Sequence, residues 1–496
     1  MSEDSDPELP EQLRIRREKL ERLRATGVDP YPVGFPRTAT AAELHRRYGE
    51  LPPDSGTGDR AGVAGRVMLN RLGGRLCFAT LRDGTGDLQV MLSLDRLGEP
   101  ALAAWKTDVD LGDLVGVEGE VVSSRRGELS VLADRWVFTA KALRPLPDKH
   151  KGLSDPEVRV RRPYVDLIVN PAARRMLATR AAMTHSLRSS LTRRGFVEVE
   201  TPMLHSVRGG ATARPFVTHM NALDIDLYLR IAPELYLKRL AVGGMEKVFE
   251  LNRNFRNEGV DSSHNPEFTM LEAYEAYGDY DTMAELTRAL VIEAAEVALG
   301  TTVVPDGRGG ELDLAQPWRS VTVHDAVSSA VGETVTPDTE PDRLRKLAAD
   351  RGVALQPRWT AGELVLELYE KLVEPQITAP TFIRDYPAMV RPLARPHRDD
   401  PRLTEAWDLV VRGIELGPAF SELTDPVEQR RRLVEQAGLA AAGDPEAMAL
   451  DEDFLRALEY GMPPLGGVGI GVDRLLMVLT GANIRETTTF PLVRPE

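Results

Sequence analysis

The sequence predicts an α+β protein: a small closed β-barrel ahead of a larger unit in which strands alternate with helices. Three observations carry this. The chain has 496 residues, more than one typical domain holds, which predicts two to four. Residues 60–145 are a succession of short β-rich runs separated by Gly and Asp turns. A proline-punctuated segment, RPLPDKHKGLSDPE (144–157), then precedes a stretch that opens on a long amphipathic helix pattern. The composition, 42% hydrophobic and 28% charged, is ordinary for a soluble globular protein. With 62 Lys and Arg against 76 Asp and Glu, the net charge is −14. That excludes a protein that coats nucleic acid by bulk charge, but not a shaped enzyme with local basic patches. The single cysteine, Cys77, excludes an intramolecular disulfide framework and a Cys-rich zinc site. No apolar run reaches membrane-spanning length and the first residues, MSEDSDPELPEQ, are polar. The expectation is a cytoplasmic protein with no signal peptide or membrane anchor.

Taken in order, residues 1–9 read as a disordered tail and 10–26 as a helix, with Pro10 near its start and Gly27 past its end. Its six basic residues between Arg14 and Arg24 suit a solvated face or contact with an RNA backbone equally well. Residues 28–58, rich in Pro, Gly and Asp, read as a connector, so that 1–58 is tail, basic helix and connector. The barrel spans 59–145, its five strands being VAGRVML, LCFATLRD, DLQVMLS, LVGVEGEVV and LSVLADRWVF. Parity places Cys77, Ala79 and Leu81 on one face of the second strand and Leu76, Phe78, Thr80 and Arg82 on the other. In the third, Leu88, Val90 and Leu92 face the core and Gln89 points away. An aromatic for stacking and an amide for reading a base edge suit unstacked bases, although parity alone favours an ordinary core position for Phe78. Residues 146–170 form a linker. In 171–496, Met176, Met183, Leu187 and Leu191 mark one face of a helix over 172–194 that Gly195 closes.

Three stretches carry chemistry. GFVEVETPML (195–204) reads as a strand directly after the long helix, ended by Pro202. In VFELNRNFRNEGVDSSHNPEFTMLEAYEAYGDY (248–280) two strand-like runs flank a polar loop. Arg256 and Glu258 share parity on the first run, and Phe268, Met270, Glu272 and Tyr274 share a face of the second. Such a hairpin offers one cavity a guanidinium that clamps a carboxylate or phosphate, an aromatic plate for a purine, and a carboxylate with a phenol for a cationic group. In GGVGIGVDRLLMVLTG (466–481) a glycine-rich turn leads into a helix starting near Asp473 and Arg474. Backbone can approach a ligand at Gly469 and Gly471, a helix start favours phosphate, and Arg474 adds charge.

In this order the three stretches resemble motifs 1, 2 and 3 of the class II aminoacyl-tRNA synthetases. The FRNEG…HNPEF run followed by LEAY, together with GGATARPF (209–216) and YLRIAPELYLKRL (228–240), is similar to the lysyl-tRNA synthetase branch. The barrel resembles that family's OB-fold anticodon-binding domain, and the likeness runs from about residue 12 to the end. The resemblance implies a catalytic domain with an antiparallel sheet flanked by helices, an insertion within about 281–400, and a homodimer built through 172–202. It implies that ATP and lysine react to give lysyl-adenylate, which is passed to the 3′ end of tRNA(Lys), with Mg²⁺ as cofactor.

Residue by residue, it implies that Arg256 bridges the lysine carboxylate and the α-phosphate, that Glu258, His264 and Asn265 hold ATP, that Phe268 stacks on adenine and that Arg474 steadies the polyphosphate tail. Gly210 and Glu234 match positions that hold the α-amino group; Glu272, Tyr274 and Glu422 match the pocket for the ε-ammonium, beside Phe420. Asp408 and Glu415 match Mg²⁺ positions, Glu415 also serving ATP, and Phe78, Gln89 and Glu128 match anticodon-reading positions. Asp408, Glu415 and Glu422 are each seven apart; Gly413, Gly417 and Pro418 argue against a helix, and a regular strand needs a bulge or bend to bring them together.

The chain departs from the family pattern at four points: Pro418 and Ala419 replace an Asn-small pair, Ser263 stands where some members have Arg, Pro163 where a basic residue is usual, and Asp408 where Glu is usual. Pro418 brings neither a backbone donor nor a side-chain amide to the amino-acid carboxylate. Two alternatives follow: a divergent paralogue that activates lysine or a related amino acid for another acceptor, or a tRNA-binding regulator. An aspartyl- or asparaginyl-tRNA synthetase is opposed by Glu272 and Glu422, which would repel a carboxylate.

Overall fold

The computed structural model describes residues 11–147, 153, 155–261, 263–443 and 446–494. The expected tail (1–9) and part of the proline-punctuated segment (148–152) lie outside them. The chain divides into two units, Met1–Ser154 and Asp155–Glu496.

The first unit begins with helix α1 (Glu11–Ala25), which buries Leu13, Arg16, Leu20 and Leu23. Its basic residues largely serve the unit itself. Arg16 donates to the carbonyls of Leu111 (2.8 Å) and Ala142 (2.9 Å), Lys19 pairs with Asp110 at 2.7 Å, and Arg22 pairs with Asp108. The expected connector contains a helix, α2 (Ala41–Tyr48). A capping box starts it: Thr40 Oγ1 accepts from Glu43 N and the Glu43 carboxylate accepts from Thr40 N. Strands β1 (Gly56–Arg71), β2 (Leu76–Arg82) and β3 (Asp87–Ser93) follow, then α3 (Leu94–Leu97), α4 (Glu99–Asp108), β4 (Leu114–Ser123) and β5 (Leu129–Ala140). The strands close a barrel in the order β1-β2-β3-β5-β4, antiparallel except for β3 with β5. Cys77, Ala79 and Leu81 are buried inside, as parity requires, and Phe78 is on the outer face. Trp105 of α4 is fully buried, donates from Nε1 to Asn70 Oδ1 and meets Trp136 edge-on at 5.1 Å.

In the second unit, α5 (Pro156–Arg161) and α6 (Pro163–Val169) lie in the stretch read as linker. Helix α7 (Pro171–Arg193) buries Met183, Leu187 and Leu191, and Gly195 leaves it at φ +85°. The strand expected over 195–204 is much shorter. Only β6 (Val197–Glu198) and β7 (Leu204–His205) pair, because Pro202 has no donor and β6 meets only the start of its neighbour. Strands β8 (Val217–Met220) and β9 (Ile225–Leu229) join β7 in a three-stranded sheet, followed by α8 (Glu234–Val242). The predicted hairpin is present as β10 (Lys247–Phe255) and β11 (Glu267–Ala276), with Glu250 opposite Glu272. Arg256 and Glu258 lie beyond the end of β10, in the loop, so strand parity does not govern them.

Helix α9 (Tyr280–Leu299) and a ribbon of β12 (Val303–Pro305) and β13 (Glu311–Asp313) come next. Between β14 (Arg319–Thr322) and its parallel partner β15 (Thr381–Arg384), helices α10 (Val323–Val331), α11 (Pro341–Ala349) and α12 (Ala361–Leu372) build their own core around Val327, Leu344 and Leu364. Strands β16 (Ala406–Val411) and β17 (Ile414–Ser421), helices α13 (Pro426–Ala441) and α14 (Glu452–Glu459), β18 (Leu465–Gly471), α15 (Val472–Thr480) and α16 (Ile484–Thr487) complete the unit. The main sheet runs β14-β15-β16-β17-β18-β11-β10-β6, antiparallel in the middle and parallel at both edge pairs. The seven-residue spacing resolves as a hairpin: Arg412 and Gly413 turn at φ +59° and +67°, and a register shift at Leu409/Val410 sets Asp408 against Pro418. The glycine-rich stretch is not a turn but a central strand, β18, between β17 and β11.

Candidate active site

A cavity of about 370 Å³ opens over β11, β17 and β18, bounded by the loop after β10 and the starts of α8 and α15. The shared face of β11 supplies Phe268, Met270, Glu272 and Tyr274, as the alternation predicts. Glycine makes room for them. A Cβ on Gly467 would fall within the Glu422 carboxylate and 2.5 Å from the Tyr274 ring, and one on Gly469 would lie 2.8 Å from Met270.

One part of the cavity is acidic and buried. Glu234, Glu272, Tyr274, Phe420 and Glu422 line it, and Gly210 turns into it at φ +88°. Burial and the neighbouring Glu234 push the Glu272 carboxyl up to about 8, despite a 3.3 Å hydrogen bond from the Tyr274 hydroxyl. Burial likewise raises Glu422 to about 8, against the pull of Lys238, whose ammonium lies 2.5 Å from Glu422 Oε2 and 2.6 Å from Glu234 Oε1. Tyr274 is held well above its ordinary value by burial and these carboxylates, so it is a neutral donor.

The other part is cationic. The Arg256 guanidinium lies 5.1 Å over the Phe268 ring, and its Nε is buried without a protein partner. The Arg256 amide donates to Pro266 O at 2.8 Å and closes the neck of the loop. Within the loop, Asp261 accepts from the amides of Ser263 and His264, Asn265 Nδ2 donates to Glu267 O, and Glu258 Oε1 accepts from Arg214 N. Arg474 donates to Glu415 O at 2.8 Å and lies 3.2 Å from His264 Nε2, tying β17 to that loop. Asp473 beside it is buried, pairs with Arg180 of α7 at 2.5 Å and accepts from Thr269 N.

Glu415 lines the cavity; Asp408 does not. Asp408 pairs through Oδ2 with Arg391, while Oδ1 is buried without a partner. Burial, opposed by Arg391 and reinforced by Glu415, raises Asp408 to about 6. Among the described residues no group of three or more His, Cys, Asp or Glu is placed to hold a metal ion. Two carboxylates, one with an unpartnered oxygen, nonetheless fit a hard cation that takes its remaining oxygens from phosphates. Glu374, raised to about 8 by burial and by Glu415 and Asp408, adds acidity behind them.

Sequence reasoning missed Lys238, Arg391 and Glu374. A signal existed for Lys238, four residues after Glu234 on a helix; the other two meet the site only through the fold. In the barrel, Thr80 faces Gln89, Gln89 faces Ser130, and Phe78 faces Met91, so Phe78 and Gln89 fall on one outer face of β2 and β3, while Glu128 lies just before β5, where strand parity does not govern it. Phe78 and Gln89 are half-buried, Glu128 is exposed, and Gln89 donates to Ser130 Oγ at 2.9 Å. Among the described residues no helix is long and apolar enough to cross a membrane.

The family described as tRNA synthetases class II (D, K and N) matches residues 155–494, and the OB-fold nucleic acid binding domain matches 62–138. A lysine–tRNA ligase of Mycobacterium tuberculosis is 57% identical over 499 residues, covering 99% of each chain. One of Mycolicibacterium gilvum is 58% identical, again over 99% of both. The chain is also 55% identical, over 99% of its own length and 43% of the other's, to the lysylphosphatidylglycerol biosynthesis bifunctional protein LysX of Nocardia farcinica.

Proposed function

The chain belongs to the class II lysyl-tRNA synthetases, lysine–tRNA ligases that use ATP, and from that premise we propose how its side chains divide the reaction. A lysine carboxylate oxygen attacks the α-phosphorus of ATP in line, the bond to pyrophosphate breaks, and lysyl-adenylate remains. The terminal ribose hydroxyl of tRNA(Lys) then attacks the activated carbonyl, AMP leaves and the hydroxyl proton departs. Positioning and charge neutralisation are the protein's main contributions.

The observation that carries the reading is the buried acidic end of the cavity. Glu272 and Glu422, pushed up to about 8 by burial, gain most from an arriving ammonium, and Tyr274 remains a neutral donor beside them. Glu234 and the backbone at Gly210 take the α-amino group, and Phe420 walls the aliphatic stem. Arg256 holds the lysine carboxylate against the α-phosphate; its buried, unpartnered Nε supports that role. Pro418 lines the cavity without a donor, so the carboxylate depends on Arg256. Phe268 receives adenine; Glu258, His264 and Asn265 hold ATP from the loop, and Arg474 neutralises the polyphosphate. Asp408 and Glu415 would hold Mg²⁺, which supplies charge neutralisation to the phosphates when bound.

Phe78, Gln89 and Glu128 read the anticodon from the barrel's outer face. The enzyme works in the cytoplasm as a homodimer, for which the exposed Val197, Met203, Leu204, Val217, Met220 and Ile225 of β6 to β9 and the segment before β7 provide an apolar surface. The Nocardia relative favours a second reading, transfer of the lysyl group to an acceptor other than tRNA. Amino-acid-dependent pyrophosphate exchange with all twenty amino acids tests the pocket. Lysine gives the strongest signal; silence with lysine and exchange with another amino acid overturns the assignment. Charging of tRNA(Lys) separates the two acceptors.

A further inference from the structure

We propose that Lys238 is a positioning residue of the amino-acid pocket, its buried ammonium bridging Glu234 and Glu422 and so fixing the geometry and the charge that select a diamino acid. The proposal rests on the reading of this cavity as the lysine site.

Lys238 is completely buried on α8 and does not line the cavity, so it acts from behind the wall, through the two carboxylates that do. Stability alone does not account for it. A buried ion pair costs much of its Coulombic gain in lost hydration, and a well-packed apolar side chain commonly serves a fold as well. What an apolar side chain cannot do is hold Glu234 and Glu422, from different elements, on one point charge. Lys238 Nζ takes Glu422 Oε2, while Oε1 lies against Gly467 and the Tyr274 ring. The carboxylate is thereby oriented with one oxygen anchored and the other toward the pocket wall.

The charge balance follows. When fully ionised, Glu234, Glu272 and Glu422 outnumber Lys238 and Arg256 by one, which the single net positive charge of lysine cancels. Without Lys238 the excess doubles, and Glu272 and Glu422, already raised by burial, hold their protons to still higher pH, so the ligand must displace them against a steeper cost. The titratable groups facing Glu422 are Lys238 and Glu234 from α8 and Tyr274 from β11, to which Glu272 is hydrogen-bonded; β18 adds Gly467 and the Leu465 carbonyl, which accepts from Glu422 N at 2.8 Å, and no charge.

The test is pyrophosphate exchange by the full-length enzyme across pH, with Lys238→Met, Lys238→Arg and Glu422→Gln. Lys238→Met raises the KM for lysine by about tenfold or more, leaves that for ATP within about twofold, and moves the acid limb of kcat/KM for lysine to higher pH. Lys238→Arg raises the lysine KM less and keeps the limb in place. An unchanged lysine KM in Lys238→Met, equal rises for lysine and ATP, or an unmoved limb overturns the proposal. Should Lys238→Met fail to fold, Lys238→Arg decides: a raised lysine KM with the limb in place supports the proposal, and an unaltered KM or a displaced limb overturns it. Glu422→Gln separates the premise from the inference. If it leaves the lysine KM untouched, the pocket reading fails; if it raises that KM while Lys238→Met does not, only the role of Lys238 fails.

Discussion

Glu272 and Glu422 give up water before any cationic ligand reaches them, and both hold their protons up to about pH 8 as a result. An ammonium binds the ionised forms, so at lower pH its binding must first expel those protons. Lysine affinity therefore rises as pH climbs from about 6 to 8, by up to tenfold per unit for each proton expelled, until the ligand's own amines begin to titrate. Calorimetry in buffers of differing ionisation heat checks this, and pH-independent affinity contradicts it. The stability linkage has the opposite sign. Both carboxyls sit above their unfolded values, so the folded state keeps protons that the unfolded chain releases, and ligand-free stability falls from about pH 4.5 to 8. The rise in Tm on adding lysine accordingly grows over the upper part of that range. Gly467→Ala drives a methyl group into Glu422 and Tyr274. It is expected to cut kcat/KM for lysine at least a hundredfold, as ill-placed binding groups do, while ATP binding measured by fluorescence stays within a few-fold.

Among the elements, the barrel strands were legible because one face of each is buried, and burial on one face writes a period of two into the sequence. The same rule found the β11 face of the cavity. It failed at β18, where glycines erase the alternation and a strand reads as a turn. It also failed over 195–204, where apolar residues suggest a strand but only a few find a partner. Helix α2 had a written signal, Thr40 three residues before Glu43, obscured by the Pro- and Gly-rich composition around it. Lys238 follows Glu234 by four residues on α8, a spacing the sequence displays; that its ammonium is buried between two carboxylates depends on Glu422, distant in sequence. Trp105 belongs to a helix inserted between barrel strands that was not read at all, yet its ring is completely buried. Trp105→Ala is expected to destabilise the barrel unit by about 3–5 kcal/mol, seen as loss of near-ultraviolet dichroism at lower urea, with lysine-dependent exchange retained. Loss of exchange in parallel would contradict that division.

For the whole molecule, the division into two units matches two tasks with different demands. In the reading proposed above, the second unit surrounds its reactants with paired charges, and the first offers half-buried Phe78 and Gln89 and exposed Glu128 to the anticodon. Phe78→Ala is expected to lower tRNA charging by about tenfold or more, given stacking worth about 1–3 kcal/mol per base, and to leave pyrophosphate exchange unchanged. Equal losses in both assays would make Phe78 structural. One further consequence belongs to β18, whose Gly466 packs on Asp279 backbone, Gly467 on Glu422 and Tyr274, and Gly469 on Met270. Glycine codons all begin with GG, and any third base keeps the amino acid. Every first- or second-base change that encodes an amino acid adds side-chain atoms that Gly466 and Gly467 have no space for, whereas at Gly469 the end of the Met270 side chain can yield. In a saturation library of the gene, the codons of Gly466 and Gly467 should split sharply, with freely drifting third letters beside first and second letters that almost never change among survivors.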